Sequence, residues 1–154
     1  MSAPSRTAVD TLVAECPSVV SFPVLWGDMD AFQHVNNTAS IRWFESSRIR
    51  LIEHPLFAAR LTIEGVAPIL AAVSCNYRRQ LRYPDTVHVG SKVTRMGNTS
   101  LTLAHTLVSE HLNEVASEGE SVVVCFDYST QRPMQISAEL REAIERIQGA
   151  VPSR

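Results

Sequence analysis

Asp28, Asp30 and His34 share a short polar stretch within the segment 26–48, WGDMDAFQHVNNTASIRWFESSR. Carboxylate and imidazole are the groups best suited to move protons near neutral pH or to attack an electrophilic carbon. The stretch leaves a β-branched apolar run (Val19, Val20, Phe22, Val24, Leu25) and enters a helical pattern. Asn36 and Asn37 are the N-cap candidates, because an Asn side chain accepts a bond from a free first-turn N–H. Ile41, Phe44, Arg48, Leu51 and Ile52 then recur at the spacing of one helix face, with Ser40 and Ser47 small enough to admit a neighbouring backbone. The order is strand, reactive loop, helix N-terminus. Free N–H groups at such a terminus suit a developing oxyanion. A carboxylate just upstream is placed to attack the polarised carbonyl, or to activate water against it. The plain alternative is a turn carboxylate that bonds only its own backbone.

The chain has 154 residues, 45% hydrophobic and 19% charged, with a net charge of −2. That length fits one domain burying roughly two-thirds of its unfolded surface. The charge argues against a general binder of nucleic acid or anionic membrane. No apolar run approaches the ~20 residues of a membrane helix, and residues 1–16 have no apolar core resembling a secretory signal. Cys16, Cys75 and Cys125 are odd in number and widely spaced, so neither a zinc site nor a disulfide framework is expected, and a reducing cytoplasm is. No metal or cofactor is expected.

The elements that must hold the loop follow from periodicity. Residues 1–17 read as a flexible or edge-docked segment with a short helix over Ala8–Glu15, stopped by Pro17. A strand runs from Ser18 to Gly27, and the helix from Asn37 to His54, stopped by Pro55 and roughly 25 Å long. Residues 55–65 read as a linker or a lid. A long strand covers 66–80, and Tyr83-Pro84-Asp85 turns the chain. Val87, Val89 and Val93 alternate, Gly97-Asn98 makes a hairpin, and Leu101, Leu103 and Leu107 alternate again. A last strand holds Val122, Val124, Phe126 and Tyr128, with a bulge expected at Gly119. Ser137 caps a final helix over AELREAIERIQ with the stripe Leu140, Ile144, Ile147. One long helix followed by an antiparallel meander is an α+β fold, with residues 18–150 as a single domain.

Asp-Met-Asp (28–30), His-Val-Asn-Asn (34–37) and Trp-Phe-Glu-x-x-Arg (43–48) together resemble the signature of hotdog-fold acyl-CoA thioesterases of the 4-hydroxybenzoyl-CoA thioesterase type. Gln-His-Val-Asn-Asn is also similar to plant-type acyl-ACP thioesterases. The likeness is sharp over 26–48 and looser over 19–145, where it takes in Arg-Tyr-Pro-Asp (82–85) and Val-Cys-Phe-Asp (124–127). It implies a curled antiparallel sheet wrapped around one central helix. It further implies that Asp30, the second carboxylate, is the nucleophile or the general base, with Asp28 holding the loop. His34 then orients the loop or contacts the thioester, and backbone N–H groups near Asn37 supply the oxyanion donors. Two positions depart from the family: Gln33 where Gly is usual, which bears on the loop backbone, and Ser40 where an aromatic is usual, which bears on the pocket wall.

Arg78, Arg79 and Arg82 crowd one strand end. They are either a solvated tip or a seat for the phosphates of coenzyme A, which Arg binds through paired hydrogen bonds. Glu45 and Arg48 should pair with each other or meet a second copy. Glu64 with Thr99 or Ser100 are candidates to reach a site from a second copy. No Gly-x-Ser-x-Gly elbow exists, and Cys75 and Cys125 read as inert buried thiols. The function expected is thus hydrolysis of an acyl-CoA. The alternatives are an acyl-ACP thioesterase or a non-catalytic module that binds acyl thioesters. An uncovered sheet edge favours a homodimer or a dimer of dimers.

Overall fold

Of the two cap candidates it is Asn36 that caps the central helix in the computed structural model, which describes residues 7–61 and 65–152. Its Oδ1 accepts from Thr38 N (2.9 Å) and from Thr38 Oγ1 (2.8 Å), satisfying a first-turn donor. The helix, α2, spans Asn37–Ile52. It stops two residues before the expected His54, because Pro55 opens a further helix, α3 (Pro55–Leu61), where its missing N–H costs nothing. The segment read as linker or lid is therefore largely helical. Glu64 lies outside the described residues.

The buried face of α2 is Ala39, Ser40, Trp43, Phe44, Ser47, Arg48 and Leu51. It is turned toward Ser40 and Ser47 relative to the expected stripe, since Ile41 is only half-buried. Against it lies a sheet ordered β1-β4-β5-β6-β2, every pairing antiparallel. The strands are β1 (Ser18–Pro23), β2 (Val66–Val73), β4 (Thr86–Met96), β5 (Ser100–Ser109) and β6 (Glu114–Asp127), and the two-residue strands β3 (Asn76–Tyr77) and β7 (Arg132–Pro133) also pair with β6. Gly97 N donates to Ser100 O (2.8 Å) in the expected hairpin. Within residues 1–17, α1 (Ala8–Glu15) buries Leu12 over Gly90, where any Cβ would strike Leu12 and Cys16. Ser137 caps α4 (Ala138–Gln148), which closes one end of the sheet with Leu140, Ala143 and Ile144.

Three further features differ from expectation, each for a local reason. β1 ends at Pro23, after which Trp26–Asp28 winds into a 3₁₀ turn. The long strand expected over 66–80 breaks at Ser74–Cys75 and resumes as β3. The bulge in β6 falls at Ala116, where the β5 register slips between Leu107 and Val108, and not at Gly119. Gly119 serves the break instead: a Cβ there would fall on the Ser74 carbonyl, so only a bare backbone lets the kinked chain approach.

The inward-facing residues form two apolar groups. One, under α4, includes Leu51, Phe57, Val93, Met96, Leu101, Leu103, Ile136 and Ile144. The other, under the first half of α2, includes Val24, Ala39, Trp43, Phe44, Leu81, Val87, Val89, Leu107 and Ala116. Between them along the strands sits a polar belt. Ser91 separates Val89 from Val93, His105 separates Leu103 from Leu107, and Ser121 lies on β6 alongside.

Candidate active site

Around the N-terminus of α2 the chain builds one cavity of about 310 Å³, lined by Asp30, His34, Val35, Asn37, Ser40 and residues 77–81. Asp28 holds the loop that frames it. Its Oδ2 accepts from Leu25 N (2.9 Å), its Oδ1 pairs with Arg42 Nη2 (3.2 Å), and its carbonyl accepts from Asn36 N (2.8 Å). Inside that frame Asp30 N donates to His34 O (2.8 Å) and Gln33 N to Asp30 O (3.0 Å). Gln33 takes φ 63, the left-handed region that glycine enters without strain, so this turn is kept despite its side chain. Phe32 N donates to Asp30 Oδ1 (2.8 Å); the other carboxylate oxygen has no partner among the described residues. The turn-carboxylate reading therefore accounts for half of Asp30 and leaves the rest for the cavity.

Asn37 is the first residue of α2. The Thr38 N–H is taken by Asn36 Oδ1, and the Ala39 N–H by Asn36 O (2.9 Å). The Asn37 N–H is left without an acceptor among the described residues, at the positive end of the helix dipole. Tyr77 Oη donates to the Asn37 carbonyl (2.8 Å), tying α2 to β3. Burial and the neighbouring Cys75 thiol push the Tyr77 phenol up to about 12, which keeps it a donor.

The opposite wall depends on the β6 bulge. Ala116 O accepts from both Arg78 N (2.8 Å) and Arg79 N (3.0 Å), and Leu81 O accepts from Val35 N (2.9 Å), strapping residues 78–81 between β6 and the loop. Arg78 pairs with Glu118, and Arg79 with Glu114; all four side chains are about half exposed. Such exposed pairs contribute little, about 0–1 kcal/mol, so an incoming anion exchanges for either carboxylate at small cost. Arg82 lies off the cavity wall, and its Nη2 donates to His34 Nε2 (3.0 Å).

Five of the six residues singled out in the sequence thus share one cavity, and the sixth touches it through His34. Tyr77, Gln80 and Leu81 were missed. The expected Glu45–Arg48 pair is loose at 4.0 Å, because Arg48 turns inward to Ser121 Oγ (3.0 Å). Thr99 and Ser100 sit at the far end of β5 and β6 from the bulge. The three thiols are free; burial raises Cys125 and Cys75 above the usual thiol range. No described helix is long and apolar enough to cross a membrane.

A profile of the thioesterase-like superfamily matches residues 24–144. The chain is 26% identical over 119 residues to the long-chain acyl-CoA thioesterase FadM of Escherichia coli K12, covering 77% of this chain and 90% of that one. It is 27% identical over 111 residues to the acyl-CoA thioester hydrolase YbgC of Escherichia coli O157:H7, covering 71% and 82%. A thioesterase from Thermus thermophilus, solved with coenzyme A and zinc, superposes with a TM-score of 0.75 at 25% identity, covering 90% of this chain and 98% of that one. The curled sheet around α2 is the hotdog fold of these proteins.

Proposed function

The chain belongs to the thioesterase-like superfamily, and we propose that its residues 18–150 hydrolyse an acyl-CoA to a free carboxylic acid and coenzyme A. One observation carries the reading: a half-free carboxylate and an unsatisfied helix-terminal N–H line the same cavity, with an imidazole beside them. A thioester carbonyl seated there accepts from Asn37 N–H and faces Asp30. Asp30 either attacks the carbon, giving a mixed anhydride that water then opens, or takes a proton from water as it attacks. In both routes the C–S bond breaks and the sulfur leaves as thiolate, and the oxyanion formed on the way is held by backbone N–H. One such donor commonly contributes about 3 kcal/mol to the transition state.

Arg78 and Arg79 on the cavity wall favour a carrier with phosphates nearby, hence coenzyme A over a protein carrier. Arg82 stands just behind His34 and adds to the same positive edge. Buried Ser40 leaves space where the family's aromatic would stand, which widens the acyl side. The β2 edge exposes Ile69, Leu70 and Val73, an apolar strand that a second copy would cover, putting the cavity at the boundary of a homodimer.

Thiol release from a panel of acyl-CoAs, short, long and aromatic, tests the proposal. Release from at least one of them is expected. Saturable binding of acyl-CoA with no thiol released across the panel would replace it with a non-catalytic binding module.

A further inference from the structure

Three arginines were grouped in the sequence, but they are not equivalent in the fold. Arg78 and Arg79 line the cavity and meet carboxylates, whereas Arg82 has no carboxylate partner among the described residues and gives its guanidinium to His34. We infer that Arg82 is a positioning residue that selects the His34 tautomer with its proton on Nδ1, so that His34 presents an N–H donor to the acyl carbonyl. This deepens the hydrolase reading above and rests on it.

A guanidinium has only donors and no lone pair to offer. A bond of 3.0 Å between Arg82 Nη2 and His34 Nε2 therefore requires Nε2 to be the acceptor. An imidazolium, or the tautomer with its proton on Nε2, would set N–H against N–H. The contact exists only for the neutral ring protonated at Nδ1. Nδ1 has no partner among the described residues, while the ring belongs to the cavity lining. The backbone bond from Asp30 N to His34 O fixes ring and carboxylate in one loop register. As Asp30 or its water adds to the carbonyl carbon, negative charge grows on the oxygen. His34 Nδ1–H donates to that oxygen beside Asn37 N–H and keeps its proton. Arg82 never touches the substrate; it acts by excluding the tautomer that would turn a lone pair toward the oxyanion.

Ring nitrogen resonances of His34 in the ¹⁵N-labelled free protein, identified by their loss in His34→Gln, read the tautomer without any substrate. Near neutral pH the wild type should show a protonated Nδ1 and a bare Nε2. Arg82→Ala should mix in the other tautomer, and Arg82→Lys, which also only donates, should retain the first. A protonated Nε2 in the wild type, or an Arg82→Ala spectrum unchanged from it, overturns the inference whatever the activity. In kinetics, Arg82→Ala should lower kcat about tenfold or more, the scale of a misplaced reacting group, with KM little changed. The loss should be equal on an acyl-CoA and on the matching acyl-pantetheine thioester, which lacks the nucleotide phosphates. A loss seen only with the acyl-CoA, and as a raised KM, makes Arg82 a phosphate ligand and overturns the inference. A wild type that releases no thiol from either substrate sinks the hydrolase reading and the donor role with it, while the tautomer remains decided by the spectra.

Discussion

Two histidines, one in the loop that leads into Phe44's helix and one on β5 beneath it, show what burial does to the same side chain. His105 sits in the polar belt at 1% exposure, stacked on Phe44 with ring centroids 5.0 Å apart. Both of its nitrogens are engaged, Nδ1 by Ser91 Oγ (2.7 Å) and Nε2 by Ser121 Oγ (2.8 Å). Ser91 in turn meets Ser47 Oγ (2.7 Å), and Ser121 meets Arg48. His34 has an arginine too, but only one of its nitrogens is held and the ring borders a cavity. The belt is a closed circuit of satisfied groups that locks α2 onto the sheet. The loop circuit is left open, among the described residues, by one carboxylate oxygen, one ring nitrogen and one backbone N–H. Residue type does not separate the two histidines; unspent hydrogen-bonding capacity does.

The largest expected effect tests the open circuit. Asp30→Asn should reduce kcat about 10³-fold, roughly 4 kcal/mol of barrier, while its thermal midpoint stays with the wild type. A variant that hydrolyses at near-wild-type rate removes Asp30 from the chemistry and erases the contrast. The converse change belongs to the belt. Ser121→Val strands an Arg48 donor and a ring nitrogen in the core, and urea titration should find it about 3 kcal/mol less stable. If that loss is absent, the belt is not locking the helix.

The belt also predicts how stability responds to acid. Burial, then the nearby Arg48 charge, lowers His105 to about 4 from its ordinary 6.5. The unfolded chain therefore takes up a proton that the folded one refuses. Stability from this group is fully present above about pH 6.5 and drains away as pH falls toward 4, at about 1.4 kcal/mol per pH unit. Unfolding free energies measured across that window should flatten in His105→Gln; an unchanged slope would assign the acid sensitivity elsewhere. The smallest effect expected is at the rim. Glu118→Gln frees Arg78 and should shift stability by only about 0.5 kcal/mol. KM for an acyl-CoA should fall while KM for the pantetheine thioester holds, and equal shifts on both substrates would count against a phosphate seat.

What could be read beforehand follows the distance over which each feature is determined. The loop and its helix were legible because Asp28, Asp30, Asn36 and the first turn of α2 satisfy one another within a dozen residues. The meander was legible because Val87, Val89, Leu101 and Leu103 alternate with the pleat. Tyr77, Gln80 and Leu81 were not, since their place depends on the Ala116 bulge of a strand that comes much later in the chain. Tyr77 and Gln80 lie within the run 66–80 read as plain strand, and Leu81 just past it, so nothing in that pattern marks its break at Ser74–Cys75. Arg48 was read on one helix face with Phe44 and Leu51, and helical spacing gave it Glu45 or a second copy as partner. Its burial required knowing that Ser91, His105 and Ser121 line up across three strands, and no pattern within one strand reports that. The free Asn37 N–H was anticipated in kind, but only the geometry of the Asn36 cap shows that Thr38 and Ala39 are already spent.

Gly119 carries no side chain and lies outside the cavity's lining, yet the separation between Tyr77 and the start of α2 is referred to it. Because the kinked backbone at Ser74 occupies the volume that a methyl on residue 119 would claim, one hydrogen atom on β6 acts as a gauge block. Thickening it would lift β3 and, with it, the phenol that spans to Asn37. The width of the cavity is in this sense calibrated from behind, at a residue outside its lining.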